Sequence, residues 1–144
     1  MSNKRVDILT TAECRELLDR HHFGRLGFTD YVGVFPSIIP VNYLLNEDKV
    51  VLRTDAGSKL NAVLRGAPVA FEVDSVDEAH EVGWSVVVRG RAEEVTDEDK
   101  LAELRQTPLL AWHLGPKPRY VRINASQVSG RRMRVADIPS NWWG

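Results

Sequence analysis

The stretch KVVLRTDAGSKLNAVLRGAPVAFEVD, residues 49–74, decides how the rest of the chain is read. Val50-Val51-Leu52 is an apolar β-type run, closed by Arg53 and Thr54. Asp55-Ala56-Gly57 has the composition of a turn. Ser58 then stands where a helix N-cap belongs, ahead of Leu60, Val63 and Leu64 at helical spacing. Gly66 falls just past the end of that short helix, and Pro68 prevents it from continuing. Val69–Val73 is a second β run, so the order is strand, tight turn, short helix, strand.

Several groups that attract anions converge on the turn. A helix N-terminus leaves backbone N–H groups without internal partners and carries partial positive charge. Thr54 and Ser58 add hydroxyl donors, and Arg53 and Lys59 add full positive charge. Together they describe an anion site, most naturally one for a phosphate. An ordinary capped helix flanked by two surface cations would show the same residues, so the spacing alone leaves both readings open.

N-terminal to this stretch, Thr10 and Glu13 are placed as a capping box that opens a helix running to Arg20. Cys14, Leu17 and Leu18 lie on one face of it, which makes Cys14 a small core residue rather than a nucleophile. His21 and His22 are adjacent, with no further ligand at metal-binding spacing, so no metal site is expected. Gly24–Thr29 alternates as a half-buried strand. Tyr31–Phe35 and Ile38–Leu45 are two more β-rich runs, and Asn46-Glu47-Asp48 turns the second into Lys49–Thr54. Pro40 lacks the N–H that a central strand needs, so the ladder should open beside Ile39–Asn42.

C-terminal to it, SVDEAHEVG, residues 75–83, reads as a solvated loop carrying a surface His80. WSVVVRGRAEEV, residues 84–95, is a long strand with Trp84, Val86 and Val88 on one face and Ser85, Val87 and Arg89 on the other. Gly90 interrupts it and marks a bulge or a close backbone approach. Thr96 is placed to cap a helix with Leu101 and Leu104 on its apolar side. Trp112 is either a core residue or an aromatic anchor at a subunit contact. Tyr120–Val128 returns to strand, Ser129-Gly130 reads as a turn or bulge, and Arg131, Arg132 and Arg134 as a solvated, locally basic end. The tail contains Trp142-Trp143, two indoles expected to pack on the body or on a partner.

About seven strands and three short helices, mostly joined by tight turns, give a mainly β fold: an antiparallel barrel with peripheral helices. The length of 144 residues fits one domain over 1–144. A formal net charge of −1 argues against nucleic acid or an anionic membrane as partner, so any phosphate site is local. One cysteine excludes an internal disulfide and fits a reducing cytoplasm. No apolar run is long enough to cross a bilayer as a helix. No glycine-rich nucleotide loop, metalloprotease helix or nucleophile elbow occurs.

The order HHFGRLGF, IIPVNYLL, LRTDAGSKLNAVLRGAPVAFEVD, WSVVVRGRAEEV and VRINASQVSGRRM resembles the pyridoxamine 5′-phosphate oxidase-like family of FMN-binding split barrels, and within it the branch that includes nitroimidazole-resistance reductases. The resemblance spans about Thr11 to Met133. It implies a split β-barrel that forms a homodimer, with FMN held in clefts between subunits. Carried over by position, Ile39, Pro40, Val41 and Asn42 would line the isoalloxazine ring. Arg53 and Thr54 would lie near the ribityl phosphate, and Ser58 and Lys59 would hold the phosphate. Trp84 and Ser85 would lie beside the flavin edge, and Trp112 and the Arg131–Arg132 region would reach in from the second subunit. The implied activity is that of an FMN-dependent oxidoreductase acting on a small electron-poor or amine-type substrate, with NAD(P)H as electron donor. The alternative is a non-catalytic binder of a flavin, a flavin-like cofactor or haem. Lys59 is followed by Leu60 where the true oxidase has a second basic residue, and its C-terminal basic and histidine residues are not evident here. Both departures argue against pyridoxine or pyridoxamine phosphate as the substrate.

Overall fold

The computed structural model describes residues 4–29, 35–55, 61–109 and 118–135. Its strands are β1 (Lys4–Ile8), β2 (Phe23–Thr29), β3 (Pro36–Asn46), β4 (Lys49–Asp55), β5 (Pro68–Asp77), β6 (Val82–Glu94) and β7 (Pro118–Val135). The helices are α1 (Thr11–Arg20), α2 (Asn61–Leu64) and α3 (Glu98–Arg105). The strands run in the order β1-β7-β4-β3-β2-β5-β6, all pairs antiparallel. A further β6–β7 pairing closes β7, β4, β3, β2, β5 and β6 into a barrel and leaves β1 attached outside the ring.

Alternation fills the barrel. Leu26, Phe28, Val41, Tyr43, Leu52, Phe71, Val73, Val86, Val88 and Ile123 all face inward and are nearly fully buried. Helix α1 closes one end. Its capping box forms as the sequence predicts, with the Glu13 N–H donating to Thr10 Oγ1 at 3.1 Å and the Thr10 N–H donating to Glu13 Oε1 at 3.0 Å. Those hydrogen bonds hold the Glu13 carboxyl below the usual carboxylate range. Cys14 and Leu18 drop into the core, and the Tyr43 hydroxyl donates to the Leu18 carbonyl at 2.7 Å. Val63 of α2 joins the same core. A second, smaller cluster lies outside the barrel, where Leu104 of α3 packs with Val51, Val95, Leu109 and Tyr120.

Two glycines are required by close approach. At Gly90 a Cβ would fall 2.0 Å from the Asn124 carbonyl oxygen, and the β6–β7 register shifts there: Arg89 pairs with Gln127 and Gly90 with Ala125, leaving Ser126 as the extra residue of a bulge. The bulge bends β7 so that its first part pairs with β4 and its last part with β1. At Gly130 a Cβ would fall 2.6 Å from Cys14 Sγ.

Several expectations need correction. β1 was not evident in the sequence, because KRVDI is short and mostly polar and its partner lies at the far end of the chain. Residues 75–83 are not a long loop: β5 and β6 extend through them and leave a tight turn over Glu78–Glu81, since Val76 and Val82 continue the pairing. Asp77 accepts from His80 and caps that turn. Asp97, not Thr96, caps α3, accepting the Lys100 N–H at 3.0 Å. Ser129-Gly130 is neither turn nor bulge but continuous β7, and its glycine makes room for α1. The three arginines do not form one patch: Arg131 pairs beside Ile8 and Ser85, whereas Arg132 is on the other face, 3.8 Å from Glu13. Residues 31–34, within the expected Tyr31–Phe35 run, and Trp142-Trp143 lie outside the described residues.

Candidate cofactor-binding site

The barrel is open along one seam. β3 pairs with β2 over Pro36–Asn42 and with β4 only over Tyr43–Asn46, where the last pair is Tyr43 with Leu52. The hairpin joining β3 and β4 is tight, with Glu47 and Asp48 both at positive φ (51° and 63°), as a two-residue type I′ turn requires. Beyond Leu52, β4 leaves β3 and pairs through Arg53–Asp55 with β7. The opening thus falls beside Ile39–Asn42, where Pro40 predicts it.

Backbone direction follows from one hydrogen bond. The Tyr43 N–H donates to the His22 carbonyl, on the β2 side, at 2.9 Å. Polar groups alternate along a strand, so Asn42 and Pro40 turn theirs toward the opening and Val41 turns its own toward β2. Proline at position 40 puts no N–H on that edge at its own position, which leaves Asn42 as the neighbouring donor there. Side chains alternate the other way. Val41 is buried inside and Ile39 packs against the core, while Pro40 and Asn42 face outward.

Across the seam, Thr54 faces the interior and is 8% exposed. Arg53 is half-buried on the outer face, opposite Tyr120 in the β4–β7 register. Its Nε is buried and has no hydrogen-bond partner among the described residues. The neighbouring cation Arg119, opposite Thr54, is already engaged, 3.4 Å from Glu94. A buried guanidinium N–H without an acceptor costs free energy, and an anion at the seam would remove that cost. The residues that should complete an anion site, Ser58 and Lys59, lie outside the described residues, as does Trp112.

Trp84 and Ser85 are not brought to this seam. β6 meets the Arg53–Tyr120 level near Glu94, which pairs with Val121. At the rise of an extended strand, about 30 Å of β6 separates Ser85 from that point. Trp84 instead faces inward against the core and His21, with ring centroids 4.8 Å apart, and Ser85 faces outward between Asp74 and Arg131. Within one chain the candidate residues therefore form two separate groups, Ile39–Asn42 with Arg53–Thr54, and Trp84–Ser85.

Sequence reasoning did not find two further features. A cavity of about 500 Å³ adjoins the seam at Asn42 and is walled by His22, Leu44, Thr107, Pro108 and Leu109. Its apolar walls come from three distant segments, so no local pattern announces it. On the outer face, Arg25 Nη2 lies 2.7 Å from both Glu72 Oε1 and Asp74 Oδ1. Partial burial, together with the hydrogen bond that its protonated form donates to the Asp74 carboxylate, pushes the Glu72 carboxyl above its usual range despite Arg25.

Comparison with known proteins agrees with this architecture. The chain is 35% identical over 141 residues to the uncharacterised protein Rv0080 of Mycobacterium tuberculosis, covering 94% of this chain and 90% of that one. A solved FAD-binding protein from Mycobacterium smegmatis is 39% identical, with a TM-score of 0.74, and the match covers 88% of this chain and 97% of the other. An FAD-binding protein from Mesorhizobium loti is 26% identical with a TM-score of 0.73, over 88% and 97%. A family profile described as pyridoxamine 5′-phosphate oxidase matches residues 10–132, most of the chain, and with the barrel opened beside Pro40 the protein belongs to that family.

Proposed function

We propose that the protein binds flavin at the β3–β4 seam, as FMN, and uses it as an oxidoreductase for a small electron-poor or amine-type acceptor, with NAD(P)H as donor. The observation that carries this reading is Arg53: a cation held half-buried beside an opened strand edge, with a buried Nε that has no acceptor among the described residues. The residues present fit the group. Arg53, together with Ser58 and Lys59 of the segment after β4, would hold the phosphate, and the Asn42 N–H would offer a hydrogen bond to the ring edge. Pro40 keeps the opened edge from closing into a ladder.

A bound flavin would supply hydride and one-electron chemistry. The chain's own part is positioning. The guanidinium of Arg53 would offset negative charge on the group, and the Asn42 cavity would offer the acceptor an apolar berth. No side-chain acid or base is required of the seam.

Ser85, which faces outward, enters this reading from a second copy, whereas Trp84 stays in the core of its own chain. In a two-fold dimer with the cofactor between subunits, the partner's outer face around Ser85 would cover the seam. A non-catalytic flavin carrier is the second reading. It is favoured by relatives named for FAD binding rather than for a reaction.

The test is mass spectrometry of the copurified ligand, followed by titration with FMN, FAD and haem. FMN-loaded protein should be bleached anaerobically by NADH or NADPH and recoloured by an electron-poor acceptor. Tight FMN binding with no bleaching by either donor would leave the carrier reading. A protein that takes up haem and no flavin would sink both.

A further inference from the structure

We infer that the cavity beside Asn42 admits neutral or cationic aromatic compounds and turns anions away, with Asp19 as the residue that selects. The use of this cavity as the acceptor's berth rests on the flavin reading; its selectivity by charge does not. At about 500 Å³ it has room for a compound of several rings. Leu44, Leu45, Pro108 and Leu109 give it apolar walls. Much of its polar lining is already spent on the protein. The Asn46 amide donates to Glu103 at 3.1 Å and accepts from Lys100 at 3.3 Å. The Thr107 hydroxyl donates to the Leu104 carbonyl at 2.6 Å, and the Tyr43 hydroxyl donates to the Leu18 carbonyl. Asn42, His22 and Asp19 supply the rest of the polar lining.

Among the described residues that line the cavity, Asp19 alone carries a full charge, counting His22 as neutral. It stands in the last turn of α1, where a negative charge opposes the helix dipole, so helix stability does not account for it. No described cation forms an ion pair with it: Arg15, one turn earlier, is held by Asp48, and Arg20 is held by Glu16. Its field reaches the cavity wall, since it adds to the burial that raises the Tyr43 phenol. Behind Asn46, Glu47 and Glu103 flank Lys100, a further excess of negative charge. Arg53, the cation of the seam, is not one of the walls. An anion entering the cavity would lose its water, meet no cation on the described walls and face Asp19. A neutral ring escapes that penalty, and a cation is attracted.

Two dyes of one skeleton test the selectivity by fluorescence titration of the full chain. N-phenylnaphthylamine is neutral, anilinonaphthalene sulfonate adds an anionic group, and both brighten in apolar surroundings. The neutral dye should bind saturably, and the sulfonate about tenfold more weakly or worse. Asp19→Lys suits the end of α1, so the helix is kept. It should tighten the sulfonate by about tenfold and leave the neutral dye within about twofold. Glu78→Lys makes the same change of net charge on the exposed turn between β5 and β6, and should move neither dye. Repeating the titrations in the Arg53→Met background removes the seam's cation as a rival anchor for the sulfonate. The proposal is overturned by equal affinities for the two dyes, by a neutral dye that does not saturate, or by a sulfonate that ignores Asp19→Lys or answers Glu78→Lys equally. Titration of the same parent protein with FMN reads the flavin site separately: no uptake of FMN beside intact dye selectivity would sink the flavin reading alone.

Discussion

Arg53 and Tyr120 face each other across the β4–β7 ladder, and beside that pair lies the buried guanidinium Nε that has no acceptor among the described residues. A structural cation would be held by a carboxylate. Arg53→Met keeps much of the volume and removes the orphaned donor. In the ligand-free protein we expect it to be neutral, or stabilising by up to about 1 kcal/mol, in urea unfolding. FMN affinity should fall by about 1–3 kcal/mol in the same variant. Affinity unchanged on titration would place the phosphate elsewhere.

Lys59→Ala should weaken FMN binding by a similar amount, about 1–3 kcal/mol, through loss of a charge-assisted contact. Isothermal titration of the two variants and their double mutant reads the coupling. Additive losses would mean that Arg53 and Lys59 do not share one anion.

Gly130 and Cys14 are coupled by space. A Cβ at residue 130 would sit 2.6 Å from Cys14 Sγ and 2.9 Å from Leu9 Cδ1. Gly130→Ala should cost about 1–3 kcal/mol by overpacking. Cys14→Ala alone should also destabilise, by leaving a small void. The double variant should be more stable than the sum of the two predicts, because the removed sulfur vacates the volume that the new methyl occupies. Thermal denaturation of the four proteins closes the cycle, and strict additivity would contradict the contact.

Burial pushes the Tyr43 phenol well above its usual value. The folded chain therefore holds that proton where the unfolded chain releases it. Above about pH 10, the ordinary tyrosine value, the unfolded state binds fewer protons, so stability falls as pH rises from there toward the folded value. Tyr43→Phe should flatten this alkaline loss. At neutral pH it should cost about 1 kcal/mol, because the Leu18 carbonyl loses the 2.7 Å hydrogen bond that ties α1 to the barrel. An identical alkaline slope in both proteins, measured by denaturant titration across pH, would refute the assignment.

At Gly90 the crowding atom is backbone. Gly90→Ala should cost more than about 3 kcal/mol, since the Asn124 carbonyl at 2.0 Å cannot rotate aside as a side chain would. A soluble variant with an unchanged unfolding midpoint would mean that the β6–β7 bulge relaxes freely.

The sequence by itself determined the local conformations and which residues face inward. Thr10 and Glu13 specify the start of α1, the alternation Trp84-Val86-Val88 specifies the inner face of β6, Gly90 specifies the bulge, and Pro40 specifies where β3 cannot be a central strand. These are short-range effects of capping, pleat and steric exclusion, and they act within a few residues. Tertiary structure alone decided what meets what. β1 became a strand only because the end of β7, over a hundred residues away in sequence, supplies its ladder. Gly130 is a glycine because α1 lands on it, and the Arg53 Nε has no acceptor among the described residues where β4 turns away from β3 to follow β7. Trp84 and Ser85 were expected beside the flavin edge, and the closed barrel turns Trp84 into the core and sets Ser85 between Asp74 and Arg131. Such contacts depend on strand order and register around the ring, which long-range packing selects and no local pattern encodes.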